Sequence, residues 1–239
     1  MGGAWDDAGV TAVLLDLFGT LVTYEERRTV QDSTAPHRLL LDHGLTLSYD
    51  DYVHAWDRSF ATLEASAVES GVEFSMFDVL DHFADEHLPD DHGAPGAEVV
   101  DLQLAAWSSH VHPIDGVAGM FDDMRADGHQ LVVVSNTHHE PMVLDLLGRF
   151  GLLAGLDAVV TSVGLGIRKP RPEIFSAALE AAGSSAADAL FVGDSHGPDY
   201  LGPTAAGIDA RLIVPSGEPP AGVPEAHVLR SVLDLPHHL

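Results

Sequence analysis

Apolar and polar positions divide the chain into three stretches of different periodicity. Residues 11–15 form a continuous apolar run, which predicts a strand buried on both faces. From 22 to about 112 the apolar positions recur at helical spacing, and this stretch is predicted to contain helices only. Beyond it, short apolar runs alternate with helical stretches. An α/β core, 1–21 and 113–239, interrupted by a helical domain, 22–112, is therefore expected.

Local signals place the individual elements. Two helices of the insertion begin at partial capping boxes, Ser48 with Asp51 and Ser75 with Asp78, and are predicted to run to about 70 and 88. The other predicted helices are 97–108, one within 25–43, and those near 117–127, 140–150, 173–182 and 202–206. The later strands are predicted at 131–134, 158–161, 189–192 and 211–214. Repeated strand–helix pairs indicate a parallel sheet covered on both faces, and the Pro/Gly-rich segment 215–224 indicates a loop.

Composition narrows the class of protein. Apolar residues make up 46% of the chain, which is typical of a globular protein. Cysteine is absent, which excludes disulfides and thiolate chemistry, and the acidic start at 1–7 is not that of a signal peptide, so a cytoplasmic location is expected.

The net charge of the chain indicates which classes of partner it is expected to bind. There are 37 acidic residues against 11 basic ones, a net charge of −26, so nucleic acid and membrane surfaces are not expected to bind, and the expected partner is a small molecule. Nothing in the sequence indicates the oligomeric state. Such an acidic chain with a single lysine resembles proteins of salt-loving organisms, in which molar salt shortens the screening length to about 3 Å.

Polar side chains follow the predicted strands at the points where the strands end. Asp16 follows the first strand, Ser135 the second, and Asp194 a later one, with Asp199 five residues further on. Lys169 is the only lysine of the chain and lies between them. Because open α/β sheets place their active sites at the carboxyl ends of the strands, these groups are expected to meet. A carboxylate such as Asp16 can attack phosphorus or an activated carbon.

One carboxylate, one hydroxyl, one ammonium and two further carboxylates, in this order, resemble the motifs of the haloacid dehalogenase (HAD) superfamily over nearly the whole chain. The resemblance implies a Rossmann-like core with a helical cap that closes over the nucleophile. It implies Mg²⁺ as cofactor, because two carboxylates beside a carboxylate nucleophile repel one another unless a cation lies among them. The residues that it assigns are Asp16, Ser135 and Lys169 for catalysis, Thr20, Phe18 and Asn136 for substrate contact, and Asp16, Asp194 and Asp199 for the metal.

One position departs from the phosphatase pattern of the superfamily. Phosphatases of this kind carry a second Asp two residues after the nucleophile, as general acid and base, and this chain has Phe18 there. An aromatic residue at this position resembles the dehalogenases of the superfamily. Those enzymes need no metal, and they lack the paired acids that Asp194 and Asp199 form in this chain. Mg²⁺-dependent hydrolysis of a phosphorylated small molecule is the main prediction. The alternatives are a metal-independent 2-haloacid dehalogenase and a non-catalytic binding protein of this fold. The phosphonate-cleaving branch, which needs a cap lysine, is excluded.

Two other patterns point to different chemistry. Residues 193–197 match G-x-S-x-G, the nucleophile elbow of serine hydrolases, but few residues follow Ser195 and no oxyanion-hole motif is present. The histidines at 82, 87 and 92 are five residues apart, a spacing that does not stack them on one helix face, and solvated helix positions are predicted instead. His138 and His139 are expected either to approach the substrate or to begin a helix.

Overall fold

The computed structural model describes residues 10–25, 31–90 and 93–237. The chain divides into two compact units. The sheet unit comprises Met1–Thr23 and His112–Leu239, and the helical unit comprises Tyr24–Val111.

Eight strands lie in the described part of the sheet unit. They are β1 (Ala12–Leu15), β2 (Val22–Thr23), β3 (His112–Pro113), β4 (Gln130–Ser135), β5 (Ala158–Thr161), β6 (Ala189–Gly193), β7 (Asp209–Ile213) and β8 (Val228–Leu229). Six of them form one parallel sheet in the order β5-β4-β1-β6-β7-β8. The strand that precedes Asp16 is therefore central, between β4 and β6, and all four of its residues are buried.

Helices cover this sheet and build the other unit. The α-helices are α1 (Thr34–Asp42), α2 (Tyr49–Ser70), α3 (Met76–His87), α4 (Gly96–Ser108), α5 (Val117–Ala126), α6 (Glu140–Arg149), α7 (Ser162–Leu165), α8 (Pro172–Ala182) and α9 (Gly202–Ala205). Helix α8 packs against β1, β4 and β5, and its Phe175 also meets Phe191 of β6 edge-on at 5.5 Å between ring centroids. The predicted α/β fold with a Rossmann-like parallel sheet is confirmed.

The predicted elements after the insertion are confirmed, with small shifts at their ends. The prediction that 22–112 contains helices only is wrong at both ends, because β2 and β3 pair there as an antiparallel ribbon, Val22 opposite Pro113 and Thr23 opposite His112. The short strand β8 and a π-helix, His196–Leu201, were not predicted either. A two-residue strand contains too few positions to show a period, so such elements have no signal in the pattern.

The helical unit has its own core. Helix α1 packs on α4, and α2 on α3. Tyr52, Trp56 and Phe83 are buried together, and the Tyr52 hydroxyl donates to Gln103 Oε1 at 3.0 Å. Within the described ranges, no helix combines the length and the apolar character that crossing a bilayer requires.

Both predicted helix starts of this unit are confirmed. Ser48 accepts from the Asp51 amide, and Ser75 forms a complete capping box with Asp78.

Candidate active site

Asp16 directly follows β1 and lies at the centre of the sheet's carboxyl edge. Its amide donates to the Val192 carbonyl of β6 at 2.9 Å, which anchors the residue to the neighbouring strand. The backbone then turns back on itself, since the amides of Leu21 and Val22 both donate to the Leu17 carbonyl. Gly19 occupies the left-handed region of this turn with φ of 84°, a conformation that favours glycine. Asp16 is left only 6% exposed.

The ammonium of Lys169 is enclosed by three acceptors. It donates to Asp16 Oδ1 at 2.7 Å, to Asp199 Oδ1 at 2.7 Å and to the Val134 carbonyl at 2.9 Å. An ammonium has three N–H donors, so this set satisfies it completely. The lysine is 3% exposed and lies between two carboxylates as their common counterion.

Asp199 is placed by the π-helix that follows β6. Its amide donates to the Ser195 carbonyl at 2.8 Å, and its Oδ2 accepts from the Ser195 amide at 2.9 Å. With Oδ1 on Lys169, both carboxylate oxygens therefore have a donor. The geometry makes Asp199 the anchor of the lysine.

Asp194 is the exposed member of the acidic group. Its carboxylate lies against the backbone of Gly19, where an added Cβ would overlap it. It also accepts from the Ser195 hydroxyl at 3.2 Å, so this hydroxyl is directed to an acid and not to a histidine base. That arrangement does not support the serine-hydrolase alternative.

Burial and like charge perturb the acids of this cluster. Burial, reinforced by the charges of Asp199 and Asp194 and opposed by Lys169, raises the pKa of Asp16 to about 7. Asp194 is more exposed than the other two acids, but the partial burial of its carboxyl, followed by the charge of Asp199, also raises its pKa. Burial alone would lower the pKa of Lys169, but the charges of Asp16 and Asp199 outweigh it and raise that pKa. Two carboxyl groups thus resist ionisation, while the ammonium keeps its proton.

The donor set fits a divalent cation. One oxygen from each of Asp16, Asp194 and Asp199 lies within 4.8 Å of the other two. Within the described part of the chain, no other group of three acidic or histidine residues is this compact. When all three carboxyl groups are ionised, the single ammonium leaves two negative charges uncompensated, which is the form that a bound cation favours. Mg²⁺ takes one or two carboxylates together with waters and substrate oxygens, which is what a partly exposed group of this kind can supply.

The other predicted site residues occupy different surroundings. Ser135 is fully buried, and its hydroxyl donates to the Asn136 carbonyl at a long 3.4 Å. The Thr20 hydroxyl is buried and has no hydrogen-bond partner among the described residues. Phe18 is half-buried and forms a bridge with Val22. Asn136 directs its side chain to the backbone of Lys169.

Three further residues near the site have contrasting surroundings. Arg168, which precedes Lys169, is buried, whereas Arg171 is exposed and pairs with Glu173. His139 begins α6, where its Nδ1 accepts from the Met142 amide, so the helix-start alternative holds for it.

The histidines of α3 differ from the solvated helix positions that were predicted for them. His82 and His87 are half-buried and not fully solvated, because they contact Ser59 and Phe83; His92 lies outside the described residues.

Comparison with known proteins identifies the family to which the chain belongs. A family model described as haloacid dehalogenase-like hydrolase matches residues 10–207. Haloacid dehalogenase-like hydrolase domain-containing protein 3 of Homo sapiens is 36% identical over 126 residues, which are 51% of this chain and 49% of that protein. The aligned segment thus spans about half the length of that relative.

Two further similarities cover most of the chain. Ribulose-1,5-bisphosphate 5-phosphatase of Halopiger xanaduensis is 24% identical over 212 residues, 87% of this chain and 86% of that protein. The crystal structure of 2-haloacid dehalogenase from Pseudomonas syringae pv. tomato superposes with a TM-score of 0.72 at 21% identity, over 96% of this chain and 97% of the other. At that identity the structural similarity establishes the fold.

Proposed function

Since the chain belongs to the haloacid dehalogenase-like hydrolase family, we propose that it is a Mg²⁺-dependent hydrolase of a phosphorylated small molecule, with Asp16 as nucleophile. The observation that carries the proposal is the group of three carboxylates around a single ammonium. Its two uncompensated negative charges match one divalent cation. A dehalogenase that uses no metal does not need two further acids, Asp194 and Asp199, beside its nucleophile. The similarity to a bisphosphate phosphatase supports the same substrate class.

Asp16 is assigned the covalent step. Its Oδ1 is fixed by Lys169, so Oδ2 is the oxygen that we assign to attack on phosphorus. Attack forms an aspartyl phosphate and releases the leaving group, and water then hydrolyses that mixed anhydride. A carboxylate is required for attack. Burial raises the pKa of Asp16 to about 7, and the nearby ammonium of Lys169 opposes this rise and so favours the ionised form.

Lys169 acts through its charge. Its three donors are already engaged, so it stabilises the anionic site without a new hydrogen bond to the substrate. The hydroxyl of Ser135 has only a long bond to give up, and we assign it as a donor to a phosphoryl oxygen. The buried Thr20 hydroxyl is assigned a supporting position beside the nucleophile.

Asp16, Asp194 and Asp199 are the residues that would hold the metal. Asp194 accepts no hydrogen bond from Lys169, whereas Asp199 does and is also assigned to the orientation of Lys169. Bound Mg²⁺ supplies positive charge that lowers the repulsion between the carboxylates and an incoming phosphoryl group.

Phe18 limits the choice of leaving group. It has no proton to give to a departing alkoxide, and loss of a general acid costs a rate factor of roughly 10²–10⁴. The proposed substrates are therefore those with stable leaving groups, such as aryl phosphates, acyl phosphates or anhydrides. The same residue is the one observation that favours 2-haloacid hydrolysis as a second candidate, because a halide leaves without a proton.

Metal dependence separates the two candidates. Purified protein in molar KCl would be assayed on aryl, acyl and sugar phosphates and on 2-haloacids, with Mg²⁺ or with EDTA. We expect phosphate hydrolysis that EDTA abolishes and that Asp16→Asn eliminates. Asp194→Asn is expected to weaken Mg²⁺ binding, while Asp122→Asn, an exposed control on α5, changes neither. Turnover of haloacids unaffected by EDTA would establish the second candidate, and no turnover of any substrate would indicate a binding protein.

A further inference from the structure

The only asparagine of the chain is hydrogen-bonded to its only lysine. Asn136 Oδ1 accepts from the Lys169 amide at 2.8 Å, and Asn136 Nδ2 donates to the Lys169 carbonyl at 3.1 Å. One carboxamide thus engages both backbone polar groups of one residue. The pairing also fixes the orientation of the amide, because a flipped side chain would set donor against donor and acceptor against acceptor.

This contact holds one end of a side chain whose other end is held in the site. Asn136 directly follows Ser135, the last residue of β4, which pairs with β1. The two hydrogen bonds between the Asn136 side chain and the Lys169 backbone, called the clamp below, therefore tie the backbone of Lys169 to the central part of the sheet. At the far end the ammonium reaches Asp16 and Asp199. A lysine side chain is long and rich in rotamers, so fixing its backbone restricts where the ammonium can lie.

The chemistry of the clamp requires an amide. An aspartate at 136 would still accept from the Lys169 amide, but it could not donate to the Lys169 carbonyl. It would also bring a further negative charge toward a group that already contains Asp16, Asp194 and Asp199. In a chain with 37 acidic residues, the one asparagine therefore lies where a carboxylate would add to the repulsion within this group.

We infer that Asn136 is a positioning residue that acts through Lys169: its side-chain amide holds the Lys169 backbone so that the ammonium bridges Asp16 and Asp199. The inference rests on the proposed function for its catalytic consequence, although the clamp itself can be measured without any substrate. It differs from the expectation that Asn136 contacts the substrate, because both polar atoms of the side chain are directed to the lysine backbone.

The single lysine makes a site-specific test possible. Protein grown with lysine labelled with ¹⁵N at the backbone and ¹³C at Cε gives one amide signal and one Cε signal, both from Lys169. Amide exchange with solvent and both chemical shifts would be compared for the wild type, Asn136→Ala and Asn136→Asp. Gln103→Leu is the matched control, since it removes a buried amide from the helical unit that bonds Tyr52. If Asn136→Ala fails to fold, Asn136→Asp gives the same test.

We expect Lys169 amide exchange to rise at least tenfold in Asn136→Ala, with a shifted Cε signal. In Asn136→Asp we expect a smaller rise, because one of the two bonds remains, and again a shifted Cε signal. Gln103→Leu is expected to leave both signals in place. In active protein, kcat is expected to fall at least tenfold in Asn136→Ala with KM changed less than threefold.

Two outcomes would overturn the inference. One is Lys169 signals that match the wild type in both Asn136 variants, whatever the kinetics. The other is signals that change equally in Gln103→Leu, which would reflect general destabilisation. If Lys169 responds as expected but no phosphate ester is hydrolysed, the clamp stands and the proposed function fails.

Discussion

Replacing Lys169 with methionine isolates the contribution of the buried ammonium. The change keeps a long apolar side chain and leaves Asp16 and Asp199 facing each other without their cation. Three hydrogen bonds from the ammonium are lost, and the two to carboxylates are each worth about 1.5–3 kcal/mol. This agrees with the penalty of about 3–5 kcal/mol for removing one partner of a buried ion pair. At roughly 2–4 °C per kcal/mol for a chain of this size, the Tm of metal-free protein is expected to fall by about 6–20 °C.

The loss is expected to depend on pH. Burial raises the pKa of Asp16 to about 7 even though Lys169 opposes the shift, so the variant's pKa lies higher still. A carboxyl whose folded pKa exceeds its unfolded value binds its proton more tightly when folded. Stability therefore declines with rising pH until the folded pKa is passed. That decline ends near pH 7 in the wild type but continues in the variant, by up to about 1.4 kcal/mol per pH unit.

The assay is thermal unfolding followed by circular dichroism in EDTA and molar KCl, from pH 6 to pH 9. Arg171→Met is the matched control, because it removes a nearby exposed cation that pairs with Glu173 at 3.0 Å. Exposed pairs contribute about 0–1 kcal/mol, so this control is expected to change the Tm little and equally at each pH. A difference between wild type and Lys169→Met that stays constant above pH 7, or that is no larger than the control, would refute the assigned charge balance.

Three further predictions concern salt, proton donation and the metal. Because a net charge of −26 repels itself, the Tm is expected to rise from low salt to molar KCl, and a flat or falling Tm in the same melting assay would contradict this. Phe18→Asp is expected to raise alkyl relative to aryl phosphate turnover; equal wild-type rates on the two classes would show that another residue supplies the proton. Gly19→Ala is expected to weaken Mg²⁺ binding in calorimetry, because its φ is 84° and its Cβ meets Asp194. The control Gly128→Ala has φ of 94° and no neighbour within 4 Å, so backbone strain alone would affect it; similar Mg²⁺ affinities in the two variants would count against the metal site.

The sequence predicted the parts of the site that depend on strand ends. Asp16 and Asp194 come together because the parallel strands β1 and β6 bring their carboxyl ends to one edge, and that topology follows from the apolar runs. The Val134 carbonyl as third acceptor of the ammonium could not be predicted, since every residue has a carbonyl and none is marked in a sequence. The buried position of Arg168 has the same cause: a charged residue in a polar loop resembles a solvated one until the loop's path is known.

The central position of β1 has a consequence for how the protein is made. Its register partners on β6 follow roughly 180 residues later, Ala12 opposite Ala189. At about 5–20 residues per second of synthesis, roughly 10 to 35 s separate the appearance of the two strands at the ribosome. During this interval an apolar strand that the finished sheet buries completely has no neighbour on that side. Strand pairs that are far apart in the sequence form slowly, and until they form the unpaired apolar edge of the strand is prone to aggregation. The strand that leads to Asp16 is thus made first and is enclosed only when β6 has emerged.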